Sequence, residues 1–237
     1  MNGLAIDCSI SKLTIGAKNQ EKTVSAIYDI GMKQSETLLP AIDYVLKSAS
    51  LELKDLSYIS VTTGPGSFTG LRLGLSAAKA ISLAHGTPIF SVNSLDLYAN
   101  PFLSLSKDFF VLSEIDAKKD RFYAKCFYNS KKIIESGDFL PEEIAKSLSA
   151  KMNELNKSNI LICGPDSEIL CNLLKEEFLK ISQNNLNLVF VPFVQDSAKS
   201  LFSIAEKMIQ EKKEPLKDYD GPLYIRASEA EVKFENK

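Results

Sequence analysis

The segment Thr63-Gly64-Pro65-Gly66-Ser67-Phe68-Thr69-Gly70-Leu71-Arg72-Leu73-Gly74 holds four of the chain's eleven glycines. It is the first place to look for chemistry, because a residue without a Cβ lets the backbone approach a ligand closely. A phosphate loop needs G-x-x-x-x-G-K-[ST], and no lysine follows Gly70. A dinucleotide loop needs G-x-G-x-x-G with an acid about 20 residues on. The spacing here is G-x-G-x-x-x-G, and residues 84–92 (AHGTPIFSV) contain no acid. Both nucleotide-loop readings fail. What remains is a loop opening a helix, with Ser67 or Thr69 as its N-cap. Arg72 in the first turn opposes the helix dipole, which suggests an anionic partner for it.

Two aspartates end apolar runs: Asp7, followed by Cys8-Ser9-Ile10-Ser11, and Asp116, followed by Ala117-Lys118-Lys119-Asp120. Such carboxylates can orient a metal-bound water or a substrate hydroxyl, with phosphates cradled by the turns that follow. A cradling turn needs glycine, and neither turn has one. Ser9 can donate to a phosphate, but Lys118 fills the place where the second turn should be bare. Asp7, Ser9, Asp116 and Lys118 thus define a vestigial nucleotide cleft. Lys118-Lys119-Asp120-Arg121 reads as a charged hairpin turn, its alternative being a small phosphate or RNA contact. The cysteines (Cys8, Cys126, Cys163, Cys171) show no C-x-x-C spacing, and His85 is the single histidine. That excludes a disulfide scaffold, a Cys/His zinc cluster and a metal-dependent peptidase, and no metal ligands or catalytic residues are assigned.

Positioning these residues takes two sets of elements in one order. Residues 3–8, 11–17 and 22–30 read as strands, followed by a helix whose apolar residues Leu38, Leu39, Ile42, Val45, Leu46 and Ala49 share one face. Pro40 makes this helix start near Thr37 or bend there. A strand at 57–63, a helix at 68–85, a strand at 88–93 and a short helix at 94–100 complete the first half. Strands at 109–116, 121–128 and 131–135, a helix at 141–150, a strand at 159–163, a helix at 166–180, a strand at 187–191 and a helix at 196–211 repeat it. Gly64-Pro65-Gly66-Ser67 recurs as Gly164-Pro165-Asp166-Ser167. The expected fold is α/β, with duplicated βββαβαβα halves of the actin-like ATPase, sugar-kinase and Hsp70 type (ASKHA, ribonuclease-H-like). The expected division is 1–102, 103–211 and a charged connector and tail at 212–237, whose Leu223-Tyr224-Ile225 could dock on the first half.

The helix at 68–85 has a nearly bare face at Gly70, Gly74, Ala77 and Ala78, so another helix backbone can come close, either within the same half or at a subunit interface. Glycine costs about 1 kcal/mol relative to alanine in a helix, so two of them imply a packing or binding demand. The chain has 237 residues, a net charge of −2 and only three arginines among 28 basic residues, which disfavours nucleic acid as a sole partner. No run approaches the ~20 apolar residues of a membrane span, and MNGLAIDCS lacks a signal-peptide pattern, so a cytoplasmic location is expected.

At Thr63–Gly74 the chain resembles the bacterial TsaB family, the dimerisation subunit of the complex that forms threonylcarbamoyladenosine in tRNA. Supporting segments are Leu4-Ala5-Ile6-Asp7, Ser35-Glu36-Thr37-Leu38-Leu39-Pro40, Val92-Asn93-Ser94-Leu95, Ile115-Asp116-Ala117 with Arg121, and Pro222-Leu223-Tyr224-Ile225-Arg226. The resemblance implies a non-catalytic paralogue of the transferase TsaD, whose metal-binding histidines lie on the helix matching 35–49. This chain has Gln34 and no histidine there. It further implies docking on TsaD through the first-half helices, at Leu39, Ile42, Asp43, Leu46, Gly70, Leu71, Gly74, Ala77, Ala78 and Ile81. A TsaE-type ATPase joins the assembly, tRNA is met only through the complex, and the free chain forms a homodimer. ATP and a divalent metal are expected on the partner subunits, with no cofactor on this chain. The competing reading is an ATP-dependent kinase or phosphotransferase of the same fold using Asp7 and Asp116.

Overall fold

The computed structural model describes residues 1–31, 33–181, 186–192 and 196–226. Two compact units emerge, one of Met1–Leu97 joined by the described part of Gln195–Lys237, the other of Tyr98–Val194.

The first unit is built on a five-stranded sheet in the order β3-β2-β1-β4-β5. β1 (Gly3–Asp7) and β4 (Tyr58–Gly64) are buried along their whole length, as central strands covered on both faces must be. β2 (Lys12–Lys18) and β3 (Thr23–Asp29) add antiparallel neighbours, and β5 (Ile89–Asn93) pairs parallel to β4. β3 alternates exposed and half-buried residues, the pattern of an edge strand. α1 (Gln34–Ser48) and α2 (Phe68–His85) pack on one face through Leu38, Ile42, Val45, Leu75, Ala78 and Ile81. α1 starts at Gln34 rather than near Thr37. Pro40 lies inside it on the exposed side, where the carbonyl its missing N–H leaves unpaired faces water. Gly86 ends α2 with φ 71° and donates its N–H to Ser82 O, so the cap is made by Gly86, with His85 exposed beside it.

The second unit repeats the plan in the order β10-β9-β6-β7-β8. Its strands are β6 (Phe110–Lys118), β7 (Arg121–Tyr128), β8 (Lys131–Phe139), β9 (Asn159–Cys163) and β10 (Asn187–Phe190). α4 (Pro141–Leu155) and α5 (Ser167–Lys180) cover one face, and α3 (Ser94–Ala99) precedes β6. The duplicated order therefore agrees with the sequence. β8 and α4 both run further than their patterns suggest, to Phe139 and Leu155. β8 continues across irregular register opposite Ala124–Phe127, and α4 stops only at Asn156, a left-handed residue with φ 50°.

One assignment is corrected. α6 (Ser197–Gln210) belongs to the first unit rather than to the second half of the sequence. Its buried face, Ala198, Leu201, Phe202 and Ala205, follows helical spacing and packs on the open side of the first sheet. A Cβ at Gly16 would lie 2.6 Å from Ala198 Cβ, and Ser60 Oγ donates to Leu201 O at 3.1 Å. The first unit is thus closed by chain that arrives last.

Candidate functional site

The motif begins where β4 runs out. Gly64 has φ 127°, a conformation strained for other residues, and a Cβ there would overlap the carbonyl oxygen of Leu223. Ser67 donates its N–H to Ser9 O at 2.7 Å, and its Oγ accepts from Gly70 N–H at 3.3 Å. Ser67, not Thr69, is therefore the N-cap of α2.

The small-residue face of α2 turns inward. A Cβ on Gly70 would overlap the carbonyl oxygen of Cys8, and one on Gly74 would lie 3.2 Å from Cys8 Sγ and 3.3 Å from Ile6 Cγ2. The glycines let α2 lie directly on β1 and the turn after it. Ala78, Ile81, Ile42 and Leu46 are buried in the first unit's core, and Leu71 is buried near Gly64. Seven of the ten docking residues expected from the sequence, Ile42, Leu46, Gly70, Leu71, Gly74, Ala78 and Ile81, are thus committed to the interior. The other three remain on the surface: Leu39 at 64% exposure, Asp43 paired with Lys47 at 2.7 Å, and half-buried Ala77.

Around those three lies a face that the sequence reading missed. On α2, Thr69, Leu73, Ala77, Ala80 and Ala84 follow one another at three- and four-residue steps, flanked by Leu83 at 91% exposure. On α1, Ser35, Leu39 and Asp43 form a matching stripe, and the two helices touch. The available signal was Leu83 itself, a large apolar residue out of step with Gly70, Gly74, Ala78 and Ile81.

Arg72 has a different partner from the anion its position suggests. Its guanidinium lies 3.8 Å over the Phe68 ring, and Nε donates to the Tyr224 hydroxyl at 2.7 Å. Phe68 and Tyr224 stack with centroids 5.0 Å apart, and Leu223 N–H reaches Thr63 O at 2.7 Å. The tail docks on the motif, as Leu223-Tyr224-Ile225 allowed. Residues 227–237, the polar end of the tail, lie outside the described residues.

The two aspartate turns are occupied by their own chain. Asp7 is buried, and its Oδ1 accepts from Ser9 N–H (3.0 Å), Ser9 Oγ (2.7 Å) and Thr62 Oγ1 (3.0 Å). Asp116 accepts from Lys118 N–H (2.7 Å) and pairs with Lys118 Nζ (2.6 Å), a hydrogen bond that raises the lysine's pKa. Lys118, Lys119 and Asp120 turn the chain with φ near 60° without a glycine. Arg121 points away, to Asp138 at 2.9 Å and Glu143 at 3.3 Å. Close to Asp116 stands Glu114, which sequence reasoning did not single out. It is fully buried, its Oε1 accepts from Asp166 N–H at 2.7 Å, and its Oε2 has no hydrogen-bond partner. Burial first, then the Asp166 charge, pushes its pKa well above the usual carboxylate range. All four cysteines are buried free thiols, and burial raises Cys8 and Cys126 far above the ordinary thiol range. Among the described residues, no group of three or more His, Cys, Asp or Glu is placed to hold a metal ion.

The family model described as TsaD, tRNA N6-adenosine threonylcarbamoyltransferase, matches residues 31–234. The chain belongs to the TsaD family, in its TsaB branch. The Bacillus subtilis protein named tRNA threonylcarbamoyladenosine biosynthesis protein TsaB is 28% identical over 242 residues, covering 99% of this chain and 98% of that one. YeaZ from Pseudomonas aeruginosa superposes with a TM-score of 0.70 at 19% identity, over 94% of this chain and 99% of that structure. A ROK hexokinase from Thermus thermophilus superposes with a TM-score of 0.50 at 10% identity, over 87% and 100% of the two chains. These two structures bear on the fold alone, and they agree with the actin-like, sugar-kinase-like plan of both units.

Proposed function

We propose that the chain serves the formation of threonylcarbamoyladenosine in tRNA as a non-catalytic scaffold that binds a TsaD-type transferase and activates it. The observation that carries this reading is the sidedness of α2. Its glycines are spent on the core, while Thr69, Ala80 and Leu83 are exposed and Leu73 and Ala77 half-exposed at the rim of that core, on a helix that touches α1 with its exposed Leu39. An outward apolar face on two adjacent helices is the kind of surface that a helix pair of a partner covers. A paralogue built on the same two helices offers such a pair, and so does a second copy of this chain, so the free chain is expected to form a homodimer.

The non-catalytic half of the proposal draws on the two turns, where Asp7 and Asp116 are already bonded to neighbouring side chains and main chain. ATP and a divalent metal then belong to the partner subunits, a TsaE-type ATPase joins the assembly, and tRNA is met through the complex. The site of action is the cytoplasm. Among the described residues, no helix is long and apolar enough to cross a membrane.

The test is a reconstituted assay with a TsaD-type partner, a TsaE-type ATPase, tRNA and the small substrates. Omitting this chain should abolish turnover, and Asp116→Ala with Lys118→Ala should keep it within about twofold. A loss of about a hundredfold in that double variant, correctly folded, would show that the turn does chemistry.

A further inference from the structure

The first sheet ends at β5, and the chain after α6 runs along that open edge as a strap. Leu216 N–H donates to Ile89 O at 2.7 Å at one end of the strap, and Leu223 N–H donates to Thr63 O at 2.7 Å at the other. Between them, Lys79 Nζ holds the carbonyls of Asp218 and Asp220, each at 2.6 Å. Where the strap stands off the sheet it borders, with α6, an open cleft of about 600 Å³ whose lining includes Ser91, Asp96, Ile204, Met208, Leu216 and Asp220. That volume suits a small molecule. The cleft also reaches the carboxyl ends of the parallel strands β4 and β5, where open α/β sheets receive ligands.

The register shows what the edge offers. Ile59 N–H donates to Pro88 O, so residues 88, 90 and 92 turn their main-chain groups toward β4. Ile89 gives its carbonyl to the strap, so it faces outward, and Ser91, two residues on, faces the same way. Ser91 therefore presents an N–H and a C=O side by side to the cleft it lines. Ile204, Met208 and Leu216 form an apolar wall, and Asp96 and Asp220 add carboxylates, Oδ2 of Asp220 also accepting from Lys217 N–H at 2.9 Å. Lys213, the cation of the lining, is paired with Glu211 at 2.9 Å.

We propose that this cleft binds a free, uncharged nucleoside. A base edge with adjacent donor and acceptor matches the Ser91 main chain, its faces lie against the apolar wall, and the ribose hydroxyls donate to the carboxylates. Phosphate is repelled by those same carboxylates. Because the strap is tied at both ends, the open edge is too short for an added peptide strand. None of these residues belongs to the α1/α2 face, so the proposal stands or falls apart from the docking reading.

The experiment is an NMR titration of the full chain with adenosine and, separately, with AMP. Adenosine should shift the Ser91 and Asn93 amides and the Met208 methyl saturably, and AMP should bind at least about fivefold more weakly. Met208→Trp, which sets a bulky ring on the apolar wall, should weaken the response, and Asp220→Asn should narrow the gap between the two ligands. The proposal is overturned by no saturable shift up to about 10 mM adenosine, by AMP binding as tightly as adenosine, or by an unchanged response in Met208→Trp. Should that variant not fold, the comparison of the two ligands on the unaltered chain decides.

Discussion

Glu114 sits where β6 meets the start of α5, with Oε1 on the Asp166 N–H and Oε2 enclosed without a partner. Asp166 and Asp116 are its charged neighbours, and both act to keep its proton on. A carboxyl whose folded pKa is raised favours folding fully below its unfolded pKa of about 4.3, and that contribution is lost as pH rises toward the folded pKa. Glu114→Gln keeps the acceptor for Asp166 and removes the ionisation. The variant should therefore match the parent near pH 4 and exceed it at pH 8, by on the order of 1 kcal/mol or more. Urea unfolding at the two pH values measures this, and a difference that does not grow with pH would show Glu114 to be paired when ionised. The same scale explains Arg72. Its position against the helix dipole pointed to an anion, but the ring of Phe68 and the hydroxyl of Tyr224, 152 residues on in sequence, take that place.

α2 presents two faces that the sequence offered as one. Gly70→Ala should gain about 1 kcal/mol in helix propensity. It should lose more, on the order of 2–3 kcal/mol, because the new Cβ overlaps the Cys8 carbonyl and backbone must move. The expected net result is a lower melting temperature, and an unchanged or raised one would mean that α2 does not lie directly on β1. Helical period and strand alternation were legible from Leu38, Val45 and the apolar runs at 57–63 and 159–163, because local patterning fixes element type. The loop's cap, narrowed to Ser67 or Thr69, and the charged hairpin turn at Lys118–Arg121 were legible too. Which side of α2 met the core was not: glycine is compatible with a close approach by sheet or by partner, and only the position of Cys8 and Ile6 decides between them. The same gap hid Leu83, whose 91% exposure depends on where its neighbours end.

In the whole molecule, sequence order and spatial order part company at the end of the chain. α6 and the strap return to the first unit, so the unit that carries the α1/α2 face is completed by residues 196–226. No local pattern signals this return, because Ala198, Leu201, Phe202 and Ala205 would suit any apolar sheet face. The central claim is that Leu39 and Leu83 face outward to receive a TsaD-type partner. Fully burying a leucine contributes about 1.5–3 kcal/mol, and a buried glutamate in its place costs more. Isothermal titration of the purified chain into a TsaD-type partner from the same source tests it most directly. The account predicts a one-to-one complex whose affinity falls by about a hundredfold or more in Leu83→Glu, with the secondary structure of the free chain intact by circular dichroism. An affinity that Leu83→Glu and Leu39→Glu both leave intact would contradict it, and would move the contact off the α1/α2 face.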